Sequence, residues 1–137
     1  MEEKKEGNKK VVLVVEDERP LLEAIKLKLE KNDFDVITAR SVEEAFNHIE
    51  DVPTIDAVWL DHYLLGKESG LDFVIKCKEE ESRYRDIPIF VVSNTASPDK
   101  VQRYIELGVS KYYTKAERKM EDIIKDIKEF QDSKCSC

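Results

Sequence analysis

Hydrophobic and polar positions fall into two alternating periods along the chain. Val11-Val12-Leu13-Val14-Val15 is an unbroken apolar run rich in β-branched residues, the composition of a strand buried on both faces of a parallel sheet. It stops at Glu16-Asp17-Glu18. Pro20 suits the first turn of a helix, and Leu21, Leu22, Ile25 and Leu29 then stack on one helical face. Asp35 to Thr38, with Val36 and Ile37, predicts a short second strand. Ser41-Val42-Glu43-Glu44 is a capping box that opens a second helix, with Val42, Ala45, Phe46 and Ile49 on its buried face. Ile55 to Leu60 predicts a third strand ending at Asp61, and the aperiodic stretch from His62 to Ser69 predicts a loop.

After Gly70 the helical spacing returns with Leu71, Val74 and Ile75, followed by a charged stretch from Lys76 to Asp86. Ile87-Pro88-Ile89-Phe90-Val91-Val92 predicts a fourth strand, its proline tolerable at the start. Ser97-Pro98 supplies a helix N-cap and first position, Val101, Tyr104 and Ile105 line the helix, and Gly108 marks its C-terminal stop. Val109 to Thr114 predicts a fifth strand. Met120, Ile123, Ile124, Ile127 and Phe130 predict an amphipathic last helix. Five βα units in series imply an α/β fold, an open parallel sheet with helices on both faces, because parallel strands need crossover connections. An eight-unit barrel needs about 250 residues.

Composition narrows the function. The chain has 137 residues, 41% of them hydrophobic and 39% charged, enough apolar content for one core at the length of one domain. Lys plus Arg number 23 against 30 Asp plus Glu, and the net charge of −7, with basic residues spread throughout, argues against a nucleic-acid surface. Apolar runs of about five residues are far short of the ~20 that span a bilayer, so no membrane insertion is expected. The charged start, residues 1–9, lacks the apolar core of a signal peptide and is expected to be a frayed tail; residues 132–137 are expected to be a polar C-terminal tail. Cys77, Cys135 and Cys137 form no disulfide framework, Cys77 is expected to be a reduced core thiol, and the cytoplasm is the expected compartment.

Ligands of open α/β sheets bind outside the carboxyl ends of the strands. There the sequence sets Glu16 and Asp17 after the first strand, Asp61 after the third, Ser93 and Asn94 after the fourth, and Lys115 after the fifth. Clustered carboxylates repel one another unless a cation sits among them, and an all-oxygen set suits Mg²⁺ or Mn²⁺. A metal with Lys115 would neutralise phosphoryl oxygens, Ser93 would donate a hydrogen bond to one, and a carboxylate beside the metal can act as nucleophile toward phosphorus.

At these residues the sequence closely resembles the receiver domain of two-component response regulators, over about residues 10–131. The likeness rests on the acidic pair after Val15, on Asp61 closing Asp56-Ala57-Val58-Trp59-Leu60, on Ser93, and on Tyr112-Tyr113-Thr114-Lys115. It implies a flavodoxin-like (βα)5 three-layer sandwich with strand order 2-1-3-4-5. It implies Asp61 as phosphoacceptor, Asp17 as a direct Mg²⁺ ligand, Glu16 acting through water, and the Tyr63 backbone carbonyl as a further ligand. Ser93 and Lys115 would hold the phosphoryl group, and Tyr112 matches the aromatic that moves with Ser93 on activation. The implied partners are a sensor histidine kinase or histidine phosphotransfer protein and a downstream protein effector. With the pattern ending near Gln131, a stand-alone receiver is expected, catalysing only its own phosphorylation and dephosphorylation. The chain departs from the family at Leu65, where Pro is usual, at Ala116, where a cis-Pro is usual, at Asn94, where a small residue is common, and in an Asp61-to-Gly70 interval one residue longer than usual.

Taken singly, the acidic pair reads as a solvated turn, Ser93 as a strand end, Lys115 as a surface lysine and Tyr112 as a core aromatic; their common edge changes that. His62 invites an acid–base role, but neighbours on an extended segment point to opposite sides, and a structural role is preferred. The rival to a phosphorylation switch is a phosphorylation-independent interaction module of the same fold. A small-molecule phosphohydrolase is disfavoured because Tyr63 stands where such enzymes carry a second Asp. A flavodoxin-like carrier is disfavoured because Glu16-Asp17-Glu18 replaces a phosphate-binding loop.

Overall fold

The computed structural model describes residues 9–94 and 97–135. Among the described residues ten elements alternate: β1 (Lys10–Val15), α1 (Arg19–Lys31), β2 (Phe34–Ala39), α2 (Val42–Ile49), β3 (Ala57–Leu60), α3 (Gly70–Cys77), β4 (Ile89–Ser93), α4 (Pro98–Leu107), β5 (Lys111–Thr114) and α5 (Met120–Cys135). All neighbouring strands pair in parallel, in the order β2-β1-β3-β4-β5. This is the flavodoxin-like order that the resemblance implies. The expected N-terminal tail and Cys137 lie outside the described residues, apart from exposed Lys9.

Each strand divides its side chains between two helical layers, because successive residues point to opposite faces. Val12 and Val14 of β1, Ala57 and Trp59 of β3, and Phe90 and Val92 of β4 pack against Leu22, Ile25 and Leu29 of α1 and Ile123, Ile124 and Ile127 of α5. Leu13, Val15, Val58, Leu60, Ile89 and Val91 pack against Ala45 and Ile49 of α2, Phe73, Val74 and Cys77 of α3, and Tyr104 of α4. That is why the strands read as apolar runs rather than alternating ones. Burying one such Leu, Ile or Val contributes about 1.5–3 kcal/mol.

Element ends follow local chemistry. Pro88 lacks an N–H, so β4 begins after it, at Ile89, while the Pro88 carbonyl still accepts from the Val58 amide at 3.0 Å. The Ser41 hydroxyl accepts from the Glu44 amide at 3.0 Å, and the Glu44 carboxylate reaches one residue further back than the standard box, to the Arg40 amide at 2.6 Å. A second box opens α3, where Asp72 accepts from the Ser69 amide at 2.8 Å; the spacing Ser69 to Asp72 was its signal in the sequence. Gly108 ends α4 at φ +94°, a left-handed conformation that disfavours a side chain. No helix among the described residues is long and apolar enough to cross a membrane.

Candidate active site

Sheet register assembles the site. β1 and β3 pair Val15 with Leu60, so Glu16 and Asp61 leave adjacent strands side by side, and the Asp61 amide donates to the Val15 carbonyl at 3.0 Å. β4 and β5 pair Ser93 with Thr114, and the Lys115 amide donates to the Ser93 carbonyl at 2.9 Å. Lys115 thereby reaches across the sheet end. Its Nζ lies 3.1 Å from Glu16 Oε1, a partner 99 residues away, and 3.4 Å from Asp61 Oδ2. Glu16, Asp17 and Asp61 each offer a carboxylate oxygen, and these atoms lie within 4.8 Å of one another.

Glu16 and Asp61 are only 1% and 4% exposed, so their proximity is electrostatically expensive. Burial, aided by repulsion from Asp61, pushes the Glu16 carboxyl up to about 7, and the Lys115 ammonium and the Glu18 amide relieve only part of this. For Lys115 burial pulls the ammonium down, but Asp61 and Glu16 together outweigh it and hold it above its ordinary value. One ammonium thus faces two buried carboxylates, with half-buried Asp17 beside them. A buried, all-oxygen, net-negative set fits a hard divalent cation such as Mg²⁺ or Mn²⁺.

A further residue fixes the cluster from below. Arg40, at the end of β2, donates from Nε and Nη2 to the Asp17 carbonyl at 3.0 and 2.8 Å, and the Glu16 amide donates to the Ala39 carbonyl at 3.0 Å. Periodicity gives no signal for Arg40, because its role depends on β2 lying beside β1.

The sequence pattern of the response regulator receiver domain matches residues 12–128. The chain belongs to this family. Over 104 residues, 76% of the chain, it is 36% identical to the phosphate regulon transcriptional regulatory protein PhoB of Escherichia coli (strain K12), and it spans 44% of that protein's length. A CheY-like receiver domain protein from Methanospirillum hungatei JF-1 shares the fold, with a TM-score of 0.81 at 22% identity, covering 92% of this chain and 96% of that one. The Mn²⁺-bound form of response regulator Rcp1 aligns with a TM-score of 0.71 at 25% identity, over 89% of this chain and 91% of that one.

Around the acids, the receiver carries its other expected residues at the same edge. Ser93 is fully buried at the end of β4. Burial raises the Tyr112 phenol above its ordinary value, opposed by a side-chain hydrogen bond with Ser93. The half-buried Tyr112 ring sits 5.7 Å from that of Tyr104. Tyr63, two residues past Asp61, exposes 53% of its surface. Its ring meets His62 edge-on at 4.7 Å, with Lys100 Nζ 5.9 Å from its centre.

The departures from the family acquire physical content here. The Leu65 amide donates to the Arg40 carbonyl at 3.1 Å, and Ser41 and Leu65 form a parallel bridge. A proline at that position has no N–H to give, so Leu65 provides a strap from the loop after Asp61 to the arginine that holds Asp17. The Lys115–Ala116 bond is trans, and Asn94 is exposed. His62 is buried, as alternation away from its neighbours allows, and its amide donates to Asp61 Oδ1 at 2.7 Å. Burial, with Lys100 adding to it, holds the imidazole below its ordinary value against the pull of Asp61 and Asp72.

Proposed function

We propose that this receiver is a phosphorylation-dependent switch in which Asp61 accepts a phosphoryl group from a phosphohistidine on a sensor histidine kinase or phosphotransfer protein. The observation that carries the reading is the juxtaposition of Lys115 with buried Glu16 and Asp61, at 3.1 and 3.4 Å. Glu16, Asp17, Asp61 and the Tyr63 carbonyl would hold Mg²⁺ or Mn²⁺, with Glu16 acting through water. The ion would neutralise phosphoryl oxygens and lower the repulsion between the incoming group and the carboxylates. That a similar receiver is known in an Mn²⁺-bound form supports this assignment.

In the transfer, an Asp61 carboxylate oxygen forms a bond to phosphorus as the phosphorus–nitrogen bond of the donor histidine breaks, and the departing imidazole takes up a proton. The Lys115 ammonium lies close enough to Asp61 to pair with phosphoryl oxygens there. Ser93, at the end of β4, would donate to one of them, and Tyr112, hydrogen-bonded to Ser93, would follow its movement. The added group places about −1.5 to −2 of charge at Asp61. Output then passes to a downstream protein effector through the face of α4 and β5, in the cytoplasm, where phosphohistidine donors of this class act. Direct nucleic-acid binding by this domain and membrane insertion form no part of the reading.

Incubation with Mg²⁺ and a small phosphodonor such as acetyl phosphate, followed by intact mass measurement, should give one phosphoryl adduct. Asp61→Asn should abolish it. Absence of the adduct in the unmodified chain, or its survival in the variant, overturns the reading and leaves a phosphorylation-independent interaction module.

A further inference from the structure

The core beside Asp61 contains a polar pair that this chemistry does not use. His62 Nδ1 lies 2.7 Å from the Tyr104 hydroxyl, with His62 5% and Tyr104 0% exposed. The two rings meet edge-on at 5.8 Å. Two backbone bonds fix His62 as well: its amide donates to Asp61 Oδ1 at 2.7 Å and its carbonyl accepts from the Gly70 amide at 2.9 Å. At Gly70 a Cβ would stand 2.6 Å from both the Asp61 carbonyl oxygen and the Tyr104 hydroxyl, and 3.1 Å from His62 Cα. The start of α3 therefore closes over the pair, with room for glycine alone. Tyr104 belongs to α4, so a hydrogen bond deep in the core joins the residue after Asp61 to a helix of another βα unit. Beyond it, the Tyr104 ring packs on Tyr112, which returns to the site through Ser93.

We propose that His62 and Tyr104 are positioning residues that couple Asp61 to α4, so that a change of charge at Asp61 displaces α4 through their hydrogen bond. The amide that bonds Asp61 Oδ1 belongs to the residue whose ring is clamped between Tyr63 and Tyr104. Any change in what Oδ1 accepts shifts that amide. A close-packed interior passes such a shift to its neighbours rather than absorbing it. This deepens the proposed function by naming how modification at Asp61 reaches α4, and it rests on that function only where phosphorylation is the stimulus.

The test compares amide ¹H–¹⁵N shifts of residues 99–107 under two stimuli. One is Asp61→Asn, which removes charge with no phosphodonor; the other is Mg²⁺ with acetyl phosphate. In the otherwise unaltered protein both stimuli should move the α4 amides. In Tyr104→Phe the α4 response should fall at least twofold, while the amides of Glu16 and Lys115 respond as before. Because Tyr104→Phe orphans the buried His62 nitrogen, His62→Leu combined with Tyr104→Phe serves as a second variant in which neither partner is left unsatisfied. It should lose the same response, and no more, as expected of one shared interaction. His62→Gln with Tyr104 unchanged, which keeps a hydrogen-bonding group opposite the hydroxyl, should retain part of it. An α4 response of full size in both hydroxyl-free variants, or none to Asp61→Asn in the starting protein, overturns the coupling. Failure to form an adduct, with the Asp61→Asn response still dependent on Tyr104, overturns the proposed function and leaves the coupling standing.

Discussion

Glu16 is a buried carboxyl with a second carboxylate beside it. In the metal-free protein its carboxyl is pushed from an ordinary 4.5 up to about 7 by burial and by Asp61. The sign of the consequence follows from proton counting. Between those values the folded chain holds a proton that the unfolded chain has released, so Glu16 costs the metal-free fold stability as pH rises through that window. A cation beside this carboxyl, even one it reaches through water, competes with the same proton. Mg²⁺ affinity should therefore weaken as pH falls below about 7, by close to tenfold per pH unit if Glu16 alone is titrating. Titrations followed by Trp59 fluorescence at pH 5.5, 6.5 and 7.5 check this, and a flat affinity contradicts it. Cys77 offers a separate test, because burial pushes its thiol up to about 12. With Cys135 and Cys137 replaced by Ser, Cys77 should resist iodoacetamide at pH 8 until denaturant is added, and prompt labelling in the native state would show that the core opens. At this scale the sequence displayed the acids and the lysine plainly. It gave no sign of the Arg40 side chain's bonds to Asp17 or of the His62–Tyr104 bond, because those partners lie 23 and 42 residues away in the chain.

The elements were legible because each carries its own start, period and stop. Ser41 caps α2, Ser97-Pro98 starts α4, and Gly108 ends it, all as the local chemistry predicts. Strand starts were less so. The apolar positions Ile55 and Val109 lie outside β3 and β5, which begin at Ala57 and Lys111. Apolar residues can pack beside a sheet without joining its ladder, and only pairing partners decide which do. The loop after β3 was aperiodic in sequence, yet it is tied at Leu65 to Arg40. Leu65→Pro, which restores the residue usual in the family, should therefore destabilise this chain by about 0.5–1.5 kcal/mol, the net worth of one hydrogen bond. Urea denaturation measures it, and unchanged stability would show that the strap contributes nothing.

For the molecule as a whole, the site and the fold are thermodynamically linked. Three carboxylates held within 4.8 Å by sheet pairing are brought together only in the folded state, so a cation that binds them stabilises folding. At a concentration 100 times its dissociation constant Mg²⁺ should add about 2.7 kcal/mol, seen as a rise of several degrees in Tm. Asp17→Asn should remove most of that rise, and a Tm insensitive to Mg²⁺ would contradict the metal assignment. The chain spans less than half the length of the PhoB relatives it matches, so these expectations concern the receiver unit itself.

The sequence alone determined the alternation of strands and helices, the two-sided burial of the sheet and the presence of an acidic and cationic set at strand ends. These are local properties, written in side-chain period, turn chemistry and order along the chain. The tertiary structure decided which ends meet, how closely Lys115 approaches Glu16 and Asp61, how far Glu16 is perturbed, and that His62 and Tyr104 share a hydrogen bond under Gly70. Those facts depend on strand register and helix packing between residues far apart in sequence, and on the low polarizability of a site that exists only once both sheet faces are covered.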